Sequence, residues 1–241
     1  MPAVRAVLFD WSGTITPWHE VDLRAQWTAF ADGAGTIACA RNDLASQLYA
    51  AEERAWQRGR SDGVSASLPE ILESCGLPAG DARTEAGTAA YRKFWEPHTL
   101  THPAIGPVWE SLRSVGIRIG VVSNTLWDRA YHRSIFERDG VLDLIDVDVY
   151  SSETPWVKPM PQIFEHAATL LGLGPRECAY VGDRSHEDVH GPHQVGMRTI
   201  LIPHSNIPLD QQVSHQATPD EVAVERSDIV DIVARWNDRI G

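Results

Sequence analysis

VRAVLFDWSGT, residues 4–14, sets the frame in which the rest of the chain is read. Apart from Arg5, residues 4–9 are apolar and rich in strand formers, and the run stops at Asp10 before a glycine-containing turn over 11–14. Such a run reads as a buried strand that presents a carboxylate at its C-terminal end. Short apolar runs of the same kind recur at 117–122, 144–150, 179–182 and 199–202. Between or after them lie segments of helical period: Val108, Leu112 and Val115, then 161–171, 188–195 and an amphipathic stretch at 228–236. Strands alternating with helices imply a parallel sheet covered on both faces, a doubly wound α/β fold.

The alternation breaks over residues 17–98. Leu23, Trp27 and Phe30 share a helical face, as do Leu44, Leu48 and Ala51. A short helix is expected over 68–75, and Asp81 is placed to cap another that runs to Trp95 before Pro97. This purely helical stretch reads as a smaller domain, 17–98, inserted into an α/β core made of 1–16 and 99–241. Residues 205–220 read as loop.

The chain of 241 residues is 43% hydrophobic, enough for a sizeable core. No apolar run approaches the ~20 residues of a membrane-spanning helix, and the N-terminus enters its first strand without a secretory-type leader. Cys39, Cys75 and Cys178 are far apart and read as reduced thiols in packed positions. A cytoplasmic location is the expectation. A formal net charge of −12 argues against nucleic acid or an anionic membrane as partner. It leaves room for a small phosphorylated ligand, which needs only local positive charge. Lysine occurs only at 93 and 158, so the placement of Lys158 carries information.

Four segments follow strands: Asp10-Trp11-Ser12-Gly13-Thr14, Ser123-Asn124-Thr125, Lys158-Pro159, and the stretch GDRSHEDVHGPHQVGM from Gly182. In an open parallel sheet the strand C-termini line the binding crevice. Taken singly, Asp10 is a turn former, Ser123 a helix cap, and Asp183 and Asp188 parts of a solvated loop. Together and in this order the four segments resemble the motifs of the haloacid-dehalogenase-like hydrolases, over about 1–16 and 99–204. The resemblance implies that Asp10 is a nucleophile and a magnesium ligand, that Ser12 offers its backbone carbonyl to the metal, and that Asp183 is a further ligand. Asp188 would act through a metal-bound water. Ser123 would bind a phosphoryl oxygen, Lys158 would hold Asp10 and the phosphate together, and amides around Ser12, Gly13 and Asn124 would complete the cradle.

One position departs from the resemblance. Phosphatases of that class carry a second aspartate two residues after the nucleophile, and here Ser12 stands there. A hydroxyl does not titrate near neutrality, so it is a poor proton shuttle. Three readings follow: a slow phosphatase with an acid/base supplied elsewhere, a hydrolase of carbon–phosphorus or carbon–halogen bonds, or a phospho-ligand-binding protein. The intact Gly182-Asp183 pair weighs against a metal-free dehalogenase. The absence of lysine from 17–92 weighs against a phosphonatase with a Schiff-base lysine. His19 and Glu20 are the first candidates for a substitute acid/base. His186, His190 and His193 have spacing that suits zinc, although exposed polar helix positions are the plainer reading. Trp27, Trp56 and Trp95 are expected in the core of the helical insert, and Trp11 and Trp127 beside the crevice.

Overall fold

The computed structural model describes residues 2–203, 213 and 217–239. Its sheet has six parallel strands: β1 (Ala6–Phe9), β2 (Arg118–Ser123), β3 (Val147–Tyr150), β4 (Cys178–Gly182), β5 (Arg198–Leu201) and β6 (Glu221–Val222). They lie in the order β3-β2-β1-β4-β5-β6, with β1 between β2 and β4. Side chains alternate across β1. Val7 and Phe9 pack with Trp109, Ile229 and Val233 on one face, and Ala6 and Leu8 pack with Phe164, Ala167 and Tyr180 on the other. The first face is covered by α5 (Ile105–Ser114) and α9 (Asp228–Asp238), the second by α7 (Pro161–Leu170). Both faces being dry, the strands read as near-continuous apolar runs.

Between β1 and α5 the described residues form the helices α1 (Leu23–Gly33), α2 (Ala38–Asp62), α3 (Leu68–Ser74) and α4 (Ala82–Trp95). Asp22 and Asp81 cap α1 and α4 through their carboxylates, and Ser67 with Glu70 forms a capping box on α3. α1 packs against both α2 and α4. Trp27 and Phe30 of α1 are fully buried there, while Trp56 and Trp95 are only half-buried.

Several sequence expectations are corrected. Val115 is 72% exposed, because α5 ends at Ser114 and Val115 lies past the last turn. The third strand is shorter than 144–150. Leu142–Leu144 forms a 3₁₀ turn, and Asp146 accepts the Ile119 N–H through its side chain before pairing begins. The helix expected over 188–195 is a π-helical turn, Ser185–His190, followed by the short α8 (Gly191–Gln194). Pro192 has no N–H to return to an earlier carbonyl, and the widened turn accommodates that. A helix, α6 (Arg129–Arg138), and the edge strand β6 were not expected. Asp128 caps α6 by accepting the Tyr131 N–H at 2.6 Å, with His132, Ile135 and Phe136 as its buried stripe. Of the cysteines only Cys178 is buried; Cys75 is half-buried and Cys39 exposed. The loop read over 205–220 lies largely outside the described residues. Among the described residues no helix is long and apolar enough to cross a membrane.

His132 is fully buried, stacked on Tyr150 with ring centroids 4.3 Å apart. Burial pushes its imidazole down to about 3. Between that value and its ordinary 6.5 the folded protein binds fewer protons than the unfolded chain, so stability is full above pH 6.5 and is lost as pH falls. The loss can reach ~5 kcal/mol at ~1.4 kcal/mol per pKa unit. In His132→Phe, which keeps the stacked shape, the urea midpoint is expected to fall less between pH 7.5 and 5 than in the wild type. Equal slopes would remove His132 from the acid response.

Candidate active site at the strand C-termini

Asp10 follows the central strand, its N–H bonded to the Val181 carbonyl at 2.9 Å and its side chain nearly buried. The chain then folds tightly: the N–H groups of Thr14, Ile15 and Thr16 all reach the Trp11 carbonyl. Gly13 makes this possible with φ 86°, a left-handed conformation that other residues adopt at a cost. The Gly13 and Thr14 carbonyls accept from the Arg226 guanidinium, at 3.3 and 2.7 Å, so a residue just before α9 fixes the turn.

Lys158 is 4% exposed and is held at both ends. Its backbone is clamped by the Asn124 side chain, which accepts from the Lys158 N–H at 2.7 Å and donates to the Lys158 carbonyl at 2.9 Å. Its ammonium donates to Asp10 Oδ1 at 2.7 Å, Asp188 Oδ1 at 2.7 Å and the Tyr180 hydroxyl at 2.9 Å. The Tyr180 hydroxyl in turn donates a hydrogen bond to the Val122 carbonyl at 2.7 Å. All three ammonium protons are therefore directed. Burial by itself would discharge Lys158, but Asp10 and Asp188 outweigh it and hold its pKa well above the ordinary lysine value.

Asp188 lies on the π-helical turn, fully buried. Its second oxygen accepts the N–H groups of Asp183 and Arg184, at 3.1 and 3.0 Å. The fold-back requires Gly182, where a Cβ would overlap the Asp188 side chain. Burial, opposed by Lys158, pushes the Asp188 carboxyl up to about 6. Asp183 is raised well above its ordinary value by burial and by the charges of Asp10 and Asp188. Asp10, Asp183 and Asp188 each offer an oxygen, all within 4.8 Å of one another. Three buried carboxylates gather around the Lys158 ammonium, and the charges of Arg184 and Arg226, which also act on Asp183, do not bring its carboxyl back down. An all-oxygen donor set of this kind suits a hard divalent cation, which would relieve the repulsion among the carboxylates.

Ser123 ends β2, almost fully buried, and Ser12 is half-buried; both line a cavity of about 520 Å³ together with Asp10, Asn124 and Lys158. His19 and Glu20 are exposed at the same cavity, the His19 ring 5.2 Å from that of His98. Trp11 and Trp127 line it as well, packed edge to face at 5.4 Å. The histidine trio does not converge. His186 stacks on His190 at 5.6 Å, while His193 reaches Asp220 and Thr199. Among the described residues the aspartate trio is the one group of three or more with converging metal-ligand atoms.

Tyr180, Arg226 and Glu52 were missed in the sequence. Tyr180 reads as one more apolar strand residue, and Arg226 follows a loop with no pattern. Glu52 left a signal: it sits four residues after Leu48 and four before Trp56, a carboxylate on the apolar stripe of α2.

A family model described as haloacid dehalogenase-like hydrolase matches residues 4–196. A glyceraldehyde 3-phosphate phosphatase of Methanopyrus kandleri is 28% identical over 199 residues, covering 83% of this chain and 84% of that one. A ribulose-1,5-bisphosphate 5-phosphatase of Halopiger xanaduensis is 24% identical, with 92% of each chain covered. Among solved structures, a phosphatase from Thermococcus onnurineus superposes with a TM-score of 0.66 at 20% identity, covering 95% of this chain and 98% of that one. A 2-haloacid dehalogenase from Pseudomonas syringae superposes with a TM-score of 0.64 at 18% identity, covering 97% and 99%. The two structural likenesses bear on the fold alone.

Proposed function

The chain belongs to the haloacid dehalogenase-like hydrolases, and on that footing we propose that it is a magnesium-dependent phosphatase of a small phosphorylated metabolite. The observation that carries this reading is the Asp10 carboxylate, presented at the cavity floor, bonded to Lys158 and grouped with two further buried aspartates. Phosphatase relatives that align with most of the chain support it.

In this reading an Asp10 oxygen attacks phosphorus, the P–O ester bond breaks and its oxygen takes a proton from a cavity side chain, His19 and Glu20 being the candidates, and water then attacks phosphorus to release phosphate and regenerate the Asp10 carboxylate. Asp10, the Ser12 carbonyl and Asp183 would hold magnesium, with Asp188 acting through a metal-bound water, and the ion would supply the positive charge that lets a carboxylate approach a phosphate dianion. Lys158 neutralises the same encounter from the other side, and Ser123 with the amides of Ser12, Gly13 and Asn124 fixes the phosphoryl oxygens. Residues 17–98 act as a cap over the core formed by 1–16 and 99–241, excluding water when the substrate is bound. The Asp183–Asp188 pair favours metal-assisted phosphoryl transfer over carbon–halogen cleavage. Chelation is expected to remove phosphate release from a panel of phosphate esters, and added magnesium to restore it. Release that ignores chelator, or halide release without metal, would sink the reading.

Ser12 makes the second half-reaction slow. A positioned base contributes ~10²–10⁴-fold to such a step, and serine cannot deprotonate the attacking water. Rapid quench of the wild type is expected to trap phospho-Asp10, and Ser12→Asp to speed its breakdown tenfold or more. No accumulation in the wild type and no gain in the variant would mean that another group already does this work.

A further inference from the structure

The insert-facing end of the cavity is walled by rings from the helical insert and the loop after β2. Trp56 of α2, Tyr91 and Trp95 of α4, and Trp127 line it, while the Tyr49 ring of α2, also in the lining, already carries the Arg24 guanidinium 4.2 Å from its centre. The Trp127 ring lies 5.4 Å from Trp95 and 6.3 Å from Tyr91. Their polar edges are already used. Trp56 donates to Glu52 at 3.4 Å, Trp95 to Gln26 at 2.8 Å and Trp127 to the Tyr91 hydroxyl at 3.1 Å. Trp27, behind this wall, donates to Glu52 at 2.7 Å. The rings therefore offer the cavity π surface and few donors.

Within this wall sits Glu52, 7% exposed and lining the same cavity. Gln26 and Trp27 share its Oε2, at 2.6 and 2.7 Å, and the long bond from Trp56 is made to Oε1. None of these partners carries charge. Glu53 also lines the cavity, and the one cation that α2 brings to it is the exposed Arg60. A second phosphate at this end would meet carboxylate and rings. A polyol would find its hydroxyls facing indoles whose N–H groups are committed. A cation suits both the π faces and the carboxylate.

We propose that this end of the cavity binds an alkylammonium group, so that the substrate is a phosphate monoester of a small amino alcohol. The proposal rests on the reading above for where the phosphoryl group sits. Burial pushes the Glu52 carboxyl up to about 7, against its three N–H donors, as expected for an anion that lacks a counter-charge in the free protein. Rings plus a single strong acceptor suit a methylated ammonium better than a primary one, whose three protons would each need an acceptor.

The test uses the full chain with magnesium. Phosphocholine is compared with its uncharged isostere 3,3-dimethylbutyl phosphate, with glucose 6-phosphate and with ribulose 1,5-bisphosphate. Binding of choline is measured separately by calorimetry, which needs no turnover. Phosphocholine is expected to exceed each of the others at least tenfold in kcat/KM, mainly through KM. Choline is expected to bind, and Glu52→Gln to weaken choline tenfold or more and to erase the preference over the isostere. Trp56→Leu, at a half-buried position, is expected to weaken choline similarly and stands in if Glu52→Gln does not fold. Hydrolysis of the other esters with no choline binding, a preference below tenfold, or one that survives both substitutions overturns the inference while leaving the phosphatase reading intact. Choline binding lost in the variants, with no ester hydrolysed, would sink the phosphatase reading and uphold the cation site.

Discussion

Asp10→Asn is expected to abolish turnover, with a loss of at least ~10⁴-fold on any phosphate ester the wild type hydrolyses. The amide keeps the shape and can still accept from Lys158, whose ammonium lies 2.7 Å from Asp10 Oδ1, so the fold is expected to survive. What it lacks is an anionic oxygen able to attack phosphorus. The check pairs steady-state rates with mass spectrometry of acid-quenched protein. Wild type should carry a phosphoryl group on the peptide containing Asp10, and the variant none. Wild-type-like turnover, with deamidation back to aspartate excluded by the same spectra, would remove Asp10 from the nucleophile's role.

Lys158→Met is expected to lower both activity and stability, for one physical reason. The ammonium bridges Asp10 and Asp188, each almost fully buried, and without it two carboxylates face each other in a dry site. Breaking a buried pair from one side costs about 3–5 kcal/mol. Loss of a directed charge at the reacting group costs about 10²–10³-fold in rate. The stability loss should shrink in acid. Lys158 opposes the rise of the Asp188 carboxyl, which stands at about 6 with the lysine present. Without it the carboxyl titrates higher still, and below that point the surplus charge is gone. Urea unfolding at pH 8 and pH 5, beside kcat/KM at saturating magnesium, would show it. Activity within tenfold of wild type would mean that Lys158 is structural only.

The parts of the fold legible in the sequence were those written locally. Each strand of the sheet's middle is a short apolar run that ends in a turn, and Asp10, Ser123, Lys158 and Asp183 were findable because each follows such a run or sits just beyond it. The structure gathers Asp10, Lys158, Asp183 and Asp188 at one end of the sheet. Asp22, Ser67 and Asp81 announce their helices through cap chemistry. What stayed hidden depends on partners distant in the chain. Arg226 gains meaning only when it reaches the Gly13 and Thr14 carbonyls, and Tyr180 only when its hydroxyl meets Lys158. The π-helical turn could not be read because it bends around Asp188's bonds to Asp183 and Arg184. α6 differs, since its cap Asp128 and the i, i+3, i+4 stripe of His132, Ile135 and Phe136 are local signals legible in the sequence.

The position of β1 has a consequence for how the protein is made. Ala6 pairs with Arg118 on one side and with Cys178 on the other, so the earliest strand in this chain occupies the middle of the sheet with both edges waiting. During synthesis the helices that follow β1 emerge first and can form from local contacts, whereas the sheet must await segments far downstream. An emerging chain that ends before Cys178 therefore has β1 open along one side and lacks Asp183 and Asp188 altogether. Nascent chains arrested at increasing lengths should gain protease resistance in the helical segment early. The sheet should gain it in one late step, once β4 has left the ribosome.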